Sequence, residues 1–143
     1  MPDLTLSLII PAYDEVQRIA ETIRQAQNYF ERQRCSYEII VSADVADGTR
    51  ELVAAMAEDD PTLRVIGSVE RRGKGYGIRQ GVALARGEIV GFVDADNKTP
   101  IDEFDKIRPW LEQGYDVVIG SRGLRESQIE RAQPWFRRLG SKG

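Results

Sequence analysis

The segment that decides the fold is Leu4-Thr5-Leu6-Ser7-Leu8-Ile9-Ile10-Pro11. Its apolar residues first alternate with polar ones and then become continuous, which predicts a buried strand that ends at the proline. Apolar residues then recur at helical spacing from Val16 to Phe30, so we expect a helix over about residues 15–33. Strand and helix thus follow each other directly, and the rest of the chain repeats this order.

Four further apolar runs predict strands, at Tyr37–Val41, Leu63–Ile66, Ile89–Val93 and Val117–Ile119. Helices are expected between these runs, the last of them beginning at a Thr99 cap and containing Pro109, which should kink it. Because continuously apolar strands alternate with helices, we predict an α/β fold with an open, mostly parallel sheet and helices on both faces. Ligands of such folds bind outside the carboxyl ends of the strands.

The absence of histidine limits the chemistry. The chain has 143 residues, no histidine and one cysteine, Cys35. This length suits one domain that buries its own core, and a single cysteine excludes an internal disulfide. Without histidine there is no Ser–His or Cys–His pair and no imidazole base or metal ligand. Catalysis must therefore rest on carboxylates, arginine, lysine, backbone amides or a metal held by oxygen atoms.

Charge is distributed unevenly along the chain. Residues 1–70 carry 6 basic and 13 acidic side chains, whereas residues 71–143 carry 14 basic and 10 acidic ones. The basic half indicates either an anionic partner or an ordinary solvated surface. No basic flank precedes an apolar stretch at the start, and no apolar run is long enough to span a membrane. We therefore expect neither a signal peptide nor a spanning helix in this chain.

Two polar segments after predicted strands are candidate sites. Asp94-Ala95-Asp96 follows the fourth strand, and two carboxylates at this spacing suit Mg²⁺ or Mn²⁺ bridging to a diphosphate, or form a solvated acidic turn. Gly73-Lys74-Gly75-Tyr76-Gly77 precedes a predicted helix, where backbone amides favour an anion. It matches neither a P-loop nor a dinucleotide fingerprint, so a flexible turn is the other interpretation. The basic, aromatic residues 122–143 fit either a lipid interface or a core contact.

Ser7-Leu8-Ile9-Ile10-Pro11-Ala12-Tyr13-Asp14-Glu15 resembles the opening strand and turn of family 2 glycosyltransferases, inverting enzymes of the Rossmann-like GT-A type. Gly73–Tyr76 and Phe92–Asp96 look like the middle of the same family. Residues 115–122 and 135–143 resemble the branch that transfers a sugar to dolichyl phosphate or another polyprenyl phosphate. The resemblance covers nearly the whole chain and implies a nucleotide-binding sheet.

The resemblance also implies roles for individual residues. The residues expected to bind the donor are Pro11, Ala12, Tyr13, Glu15, Asp44, Asp47, Lys74 and Asp94. Asp94 and Asp96 would hold Mg²⁺ or Mn²⁺ with the diphosphate, and together with Arg122 they would be the catalytic residues. The residues expected to bind the acceptor phosphate are Arg122, Arg137 and Arg138.

Three positions depart from the family pattern. Ser42-Ala43-Asp44-Val45 stands where the family usually has Asp-Asp-Gly-Ser, so the acid that reads the base is missing or displaced to Asp44. Lys98 stands where the mannosyl branch often has a glutamine metal ligand, and a protonated lysine neutralises a phosphate instead of ligating a metal. Residues 97–100 look nearer the glucosyl branch, which favours UDP-glucose over GDP-mannose. Asp14 replaces a frequent asparagine.

The expected reaction is a direct displacement at the anomeric carbon, with the metal and cationic side chains stabilising the leaving nucleoside diphosphate. A phosphomonoester acceptor needs no general base, because its second pKa of about 6 leaves it largely dianionic at neutral pH. Two other functions compete with this one. The chain could be a nucleotide-binding module without catalysis, or a phosphohydrolase of the haloacid dehalogenase type with Asp94 as nucleophile, although that motif normally follows the first strand.

The resemblance divides the chain into two parts. Residues 1–121 would form the nucleotide-sugar-binding core, and residues 122–143 the acceptor and interface segment. Family members continue beyond the point that corresponds to Gly143, and many carry membrane helices, so we expect a chain truncated at its C-terminus. The implied partners are a nucleotide sugar, a polyprenyl phosphate and a membrane surface, with no nucleic acid. The implied location is the cytosolic face of a membrane.

Overall fold

The computed structural model describes residues 5–44, 47–67, 70, 72–96 and 101–118, and the backbone of residues 119–120 and 129–130. The elements in chain order are β1 (Leu6–Ala12), α1 (Ile19–Arg32), β2 (Tyr37–Ala43), α2 (Thr49–Ala57), β3 (Leu63–Ile66), α3 (Lys74–Leu84), β4 (Ile89–Phe92), a 3-10 turn (Ile101–Glu103), α4 (Phe104–Glu112), β5 (Ile119–Gly120) and β6 (Ile129–Glu130). They fall into two compact units, Met1–Ile101 and Asp102–Gly143.

The first unit is built on a parallel sheet in the order β3-β2-β1-β4. The chain passes from β1 to β2 to β3 in one direction and then returns to β4 on the far side of β1. Because such crossovers are right-handed, α1 and α2 cover one face of the sheet and α3 covers the other. The predicted open α/β fold is therefore confirmed.

Helix α3 packs closely on β1, because Gly81 has no side chain to separate the helix from the Ile9 side chain. A Cβ added to Gly81 would lie 2.6 Å from Cγ2 and 3.0 Å from Cδ1 of the fully buried Ile9. Only glycine leaves room for this distance, since real Cβ atoms do not approach other atoms so closely. The close approach fixes α3 over the centre of the sheet and sets the position of the helix's first turn.

The opposite face of the sheet carries the apolar core. In β1 and β2 the residues on this face, such as Leu8, Ile10, Ile39 and Val41, are buried almost completely. From α1 the buried apolar side chains are Ile19, Ile23, Ala26, Tyr29 and Phe30. The helical spacing of the sequence predicted four of these residues, Ile19, Ile23, Ala26 and Phe30, but it also included Val16, which is exposed, and it missed Tyr29.

A buried carboxylate joins the amino ends of the strands. Glu38, only 2% exposed, accepts hydrogen bonds from the Ser7 hydroxyl at 2.7 Å and the Arg86 amide at 2.7 Å. The Arg64 and Arg86 guanidinium groups lie 3.1 and 3.3 Å from its other oxygen. Burial alone would raise the pKa of Glu38, but these hydrogen bonds and the Arg64 charge lower the pKa below its ordinary 4.5.

Several boundaries differ from the predictions. Strand β1 continues through Pro11 to Ala12, because the ladder to β4 ends at Ile9 while the ladder to β2 continues. Helix α1 begins at Ile19, not near residue 15, since Glu15 starts a separate turn by accepting from the Arg18 and Ile19 amides. The predicted Thr99 cap lies outside the described residues.

The second unit contains a strand pair that the sequence did not predict. The fifth strand is only Ile119–Gly120, and it pairs antiparallel with β6 instead of extending the parallel ladder. Helix α4 contains Pro109 as expected. The predicted division after residue 121 falls outside the residues whose structure is described. Within the described part of the chain, no helix combines the length and apolarity that crossing a membrane requires.

Candidate active site

One cavity opens where the carboxyl ends of β1, β2 and β4 meet the first turn of α3. Its volume is about 350 Å³. The residues that line it are Pro11, Ala12, Tyr13, Glu15, Ser42, Asp44, Gly73, Lys74, Gly77, Asp94, Ala95 and Asp96. All the predicted donor and metal residues except Asp47 are among them, so strand ends far apart in sequence come together as an open parallel sheet requires.

The turn that carries Asp94 and Asp96 is hydrogen-bonded to a buried side chain of α1. The Thr22 hydroxyl of α1, almost completely buried, donates to the Ala95 carbonyl at 2.7 Å. The Val93 amide donates to the Ile9 carbonyl at 3.1 Å and continues the ladder past the end of β4. Ala95 is buried, whereas Asp94 and Asp96 on either side are partly exposed to the cavity. The backbone of this turn is therefore fixed, with two carboxylates presented at the cavity wall.

Lys74 brings a positive charge to the same wall. It is the first residue of α3, and its Nζ donates to Asp94 Oδ1. Gly73, at φ +94°, takes a left-handed turn that few other residues adopt, and it has no side chain that could cap the helix. The N-terminal end of α3 thus faces the cavity with its partial positive charge, which favours an anion.

The end of β2 carries the chain's departure from the family pattern. Ser42 is buried in the cavity wall, and a Cβ on Gly77 would lie 2.6 Å from its Oγ. Asp44 also lines the cavity, and its Oδ2 accepts a hydrogen bond from the Arg72 amide at 3.0 Å. Asp44 therefore stands at the carboxyl end of β2 in the cavity wall and also holds the loop that leads into α3. Ser42 and Gly77 belong to segments that the sequence singled out, but the close contact between them is tertiary and was not predicted.

Asp47 lies beside the cavity but does not line it. Its oxygens accept the amide hydrogens of Asp14 at 2.6 Å and Thr49 at 2.9 Å, joining the loop after β1 to the start of α2. Burial would raise the pKa of Asp47, but these amides hold the pKa below its ordinary 3.8. Asp14 has φ +54°, a left-handed conformation in which asparagine and aspartate are enriched. Aspartate at position 14, where the family often has asparagine, is therefore also a residue that suits this turn.

The described lining of the cavity carries more negative than positive side chains. Among the described residues that line the cavity, four carry carboxyl groups, Glu15, Asp44, Asp94 and Asp96, and one, Lys74, carries an ammonium. A nucleoside diphosphate is itself anionic and would be repelled by this excess of negative charge. A divalent cation between the two would turn the repulsion into attraction. The predicted acceptor residues Arg122, Arg137 and Arg138 lie outside the described residues.

The sequence of this chain is similar to those of known glycosyltransferases. The family model described as glycosyl transferase family 2 matches residues 7–138. The chain belongs to this family. A dolichyl-phosphate beta-glucosyltransferase of Drosophila melanogaster is 31% identical over 157 residues, which cover 96% of this chain and 47% of that protein. A dolichol-phosphate mannosyltransferase of Pyrococcus furiosus is 30% identical over 141 residues, which cover 98% of this chain and 39% of that protein.

A solved structure supports the fold of this family 2 chain. Mannosyl-3-phosphoglycerate synthase from Rubrobacter xylanophilus aligns with a TM-score of 0.65 and 22% identity, over 80% of this chain and 38% of that chain. The expectation of a GT-A glycosyltransferase fold is thereby confirmed. The chain spans about half or less of the length of the curated relatives it matches.

Proposed function

We propose that this family 2 chain transfers a sugar from a nucleoside diphosphate sugar to a polyprenyl phosphate of the dolichyl type. The observation that carries the proposal is the meeting of Asp94, Asp96 and Lys74 in one cavity at the carboxyl edge of the sheet. Two carboxylates and an ammonium are the groups that a cation–diphosphate pair requires. The printed functions of the glucosyltransferase and mannosyltransferase relatives supply the acceptor class.

The residues present fit a divalent cation that is shared with the substrate. Glycosyltransferases of this fold commonly use such a cation. Among the described residues no group of three or more acidic, cysteine or histidine side chains could hold a metal alone. Mg²⁺ is usually held by one or two carboxylates together with substrate phosphates and water, and Asp94 and Asp96 supply that number. We propose Mg²⁺ or Mn²⁺, which when bound acts as a Lewis acid on the leaving diphosphate.

The chain's own residues would bind and orient the two substrates. Lys74 and the amides at the start of α3 would contact the diphosphate, while Tyr13 and Asp44 would lie along the nucleoside. Asp47 would not contact the donor but would position the loop after β1, which it joins to the start of α2. Arg122, Arg137 and Arg138 would orient the acceptor phosphate, whose ionised oxygen attacks the anomeric carbon without a base. The nucleoside diphosphate then leaves from the opposite side of that carbon.

The donor is proposed as UDP-glucose, with GDP-mannose next. Dolichyl-phosphate beta-glucosyltransferases of Drosophila melanogaster and Mus musculus are among the similar relatives, and the sequence of residues 97–100 also looks nearer the glucosyl branch. A bound nucleotide stabilises the native state by mass action, so thermal shifts with UDP and GDP in the presence of Mn²⁺ compare the two directly. We expect UDP to raise the melting temperature more. A larger shift with GDP contradicts the donor assignment.

The transfer itself is tested with labelled donor and dolichyl phosphate in detergent. We expect a labelled glycolipid that is a phosphodiester, formed only when a divalent cation is present. Nucleotide binding without any glycolipid, even when a full-length chain is supplied, would contradict the transferase and favour the non-catalytic binding module. The phosphohydrolase interpretation is not favoured, because Asp94 follows the fourth strand of the chain, β4. An enzyme with this acceptor would work at a membrane, and we propose the cytosolic face.

A further inference from the structure

Lys74 and Asp94 form an ion pair inside the cavity. The ammonium comes from the first turn of α3 and the carboxylate from the end of β4, so the contact is tertiary. The two side chains are 55% and 44% exposed. Pairs exposed to this degree change an equilibrium by only about 1.4- to 5-fold. The Lys74 ammonium can therefore leave Asp94 when another charged group enters the cavity.

The two partners are anchored differently. The backbone around Asp94 is fixed by the Thr22 hydroxyl, which holds the Ala95 carbonyl. Lys74 lies between two glycines, Gly73 and Gly75, at which an added Cβ would meet no described atom within 4 Å. A long flexible side chain that is more than half exposed moves more easily than a carboxylate on a fixed turn. If the pair separates, it is Lys74 that moves.

A divalent cation on Asp94 and the Lys74 ammonium at the same carboxylate would repel each other. Like charges at contact distance oppose each other even in a solvated site. We propose that Lys74 and the divalent cation compete for Asp94, and that a nucleoside diphosphate releases this competition by drawing the Lys74 ammonium onto its phosphates. The inference rests on the proposed function, and it adds a coupling between the binding of the cation and that of the nucleotide.

The coupling has a defined sign. Without nucleotide, Lys74 occupies Asp94 and weakens cation binding. With nucleotide, Lys74 has a phosphate to contact, and the cation gains Asp94. Because linkage is reciprocal, the cation must strengthen nucleotide binding by the same factor. Removing the ammonium should therefore tighten binding of the cation alone, although the ammonium is useful to the complete complex.

Manganese binding in the absence of nucleotide tests this directly. The loss of the free Mn²⁺ electron paramagnetic resonance signal on titration gives the affinity of wild type and of Lys74→Met. We expect Lys74→Met to bind Mn²⁺ about 1.4- to 5-fold more tightly and UDP less tightly. Lys74→Arg keeps the charge and should bind Mn²⁺ no more tightly than wild type. Lys106→Met removes the same charge from a lysine paired with Glu103 outside the cavity, and should change nothing.

Each result supports or overturns the inference. Unchanged or weaker Mn²⁺ binding by folded Lys74→Met overturns it and leaves the proposed function intact, since Lys74 would then support the site instead of competing for it. Tighter binding by Lys106→Met to the same extent also overturns it, because the effect would be one of overall charge. A wild-type chain that binds neither Mn²⁺ nor UDP overturns this inference and the proposed function together.

Discussion

Replacement of Gly81 by alanine tests the packing that sets α3 over the sheet. The new Cβ would lie 2.6 and 3.0 Å from two carbon atoms of Ile9, which is fully buried. Overpacking of this kind costs about 1–3 kcal/mol. The helix itself would gain about 0.5–1 kcal/mol, because alanine loses less backbone entropy than glycine on folding. The net effect expected is a destabilisation of about 1 kcal/mol.

Gly75→Ala is the matched control, because it makes the same chemical change in the same helix. No described atom lies within 4 Å of its added Cβ, and the φ of Gly75 is compatible with alanine. The propensity gain is then common to both variants, and the difference in their free energies of unfolding isolates the overlap, about 1–3 kcal/mol. Urea unfolding at neutral pH measures it. If Gly81→Ala is as stable as Gly75→Ala, the close approach of α3 to β1 is refuted.

Two other substitutions test the hydrogen-bonded carboxylates, the buried Glu38 and the partly exposed Asp47. Glu38→Gln should cost about 1–3 kcal/mol at pH 7, because it weakens the hydrogen bonds from Ser7 and the arginines. Since folding lowers the pKa of Glu38, its charge stabilises the fold fully above about pH 4.5 and progressively less as the pH falls through the folded-state pKa. Urea unfolding between pH 7 and 3 should show that Glu38→Gln loses less free energy of unfolding than wild type as the pH falls. An equal loss for both proteins would contradict this sign. Asp47→Ala should lower the free energy of unfolding by about 1–3 kcal/mol in the same assay, because two amides lose their hydrogen-bond acceptor. A decrease of only a few tenths of a kcal/mol would show that Asp47 is not the link between its two loops.

The sequence predicts the parallel sheet well because its signal is local. The run from Leu6 to Ile10 is continuously buried, as its apolar residues indicate. The positions of the candidate site residues follow from topology, since carboxyl ends of parallel strands share an edge. For this reason the sequence alone groups residues as far apart as Tyr13, Asp44 and Asp94.

What the sequence did not predict depends on tertiary contacts or on very short elements. The hydrogen bond from Thr22 to Ala95 joins residues 73 positions apart, and nothing near Thr22 indicates it. The roles of Gly77 and Gly81 depend on which side chains they meet across the sheet. The sequence predicts a fifth strand near β5, but its partner β6 has only two residues, too few for any periodicity to register.

The central claim is that Asp94 and Asp96 bind a nucleoside diphosphate through a divalent cation. Isothermal titration of UDP with Mn²⁺ or with a chelator, using wild type and Asp96→Asn, tests it most directly. Asp59→Asn is the control, since it removes the same charge from an exposed residue that does not line the cavity. We predict that Mn²⁺ tightens UDP binding by about tenfold or more in wild type and the control, since charged contacts of this kind contribute about 1.5–3 kcal/mol, and that Asp96→Asn loses this gain. Equal UDP affinity with and without Mn²⁺, or a gain that Asp96→Asn retains, would contradict the claim.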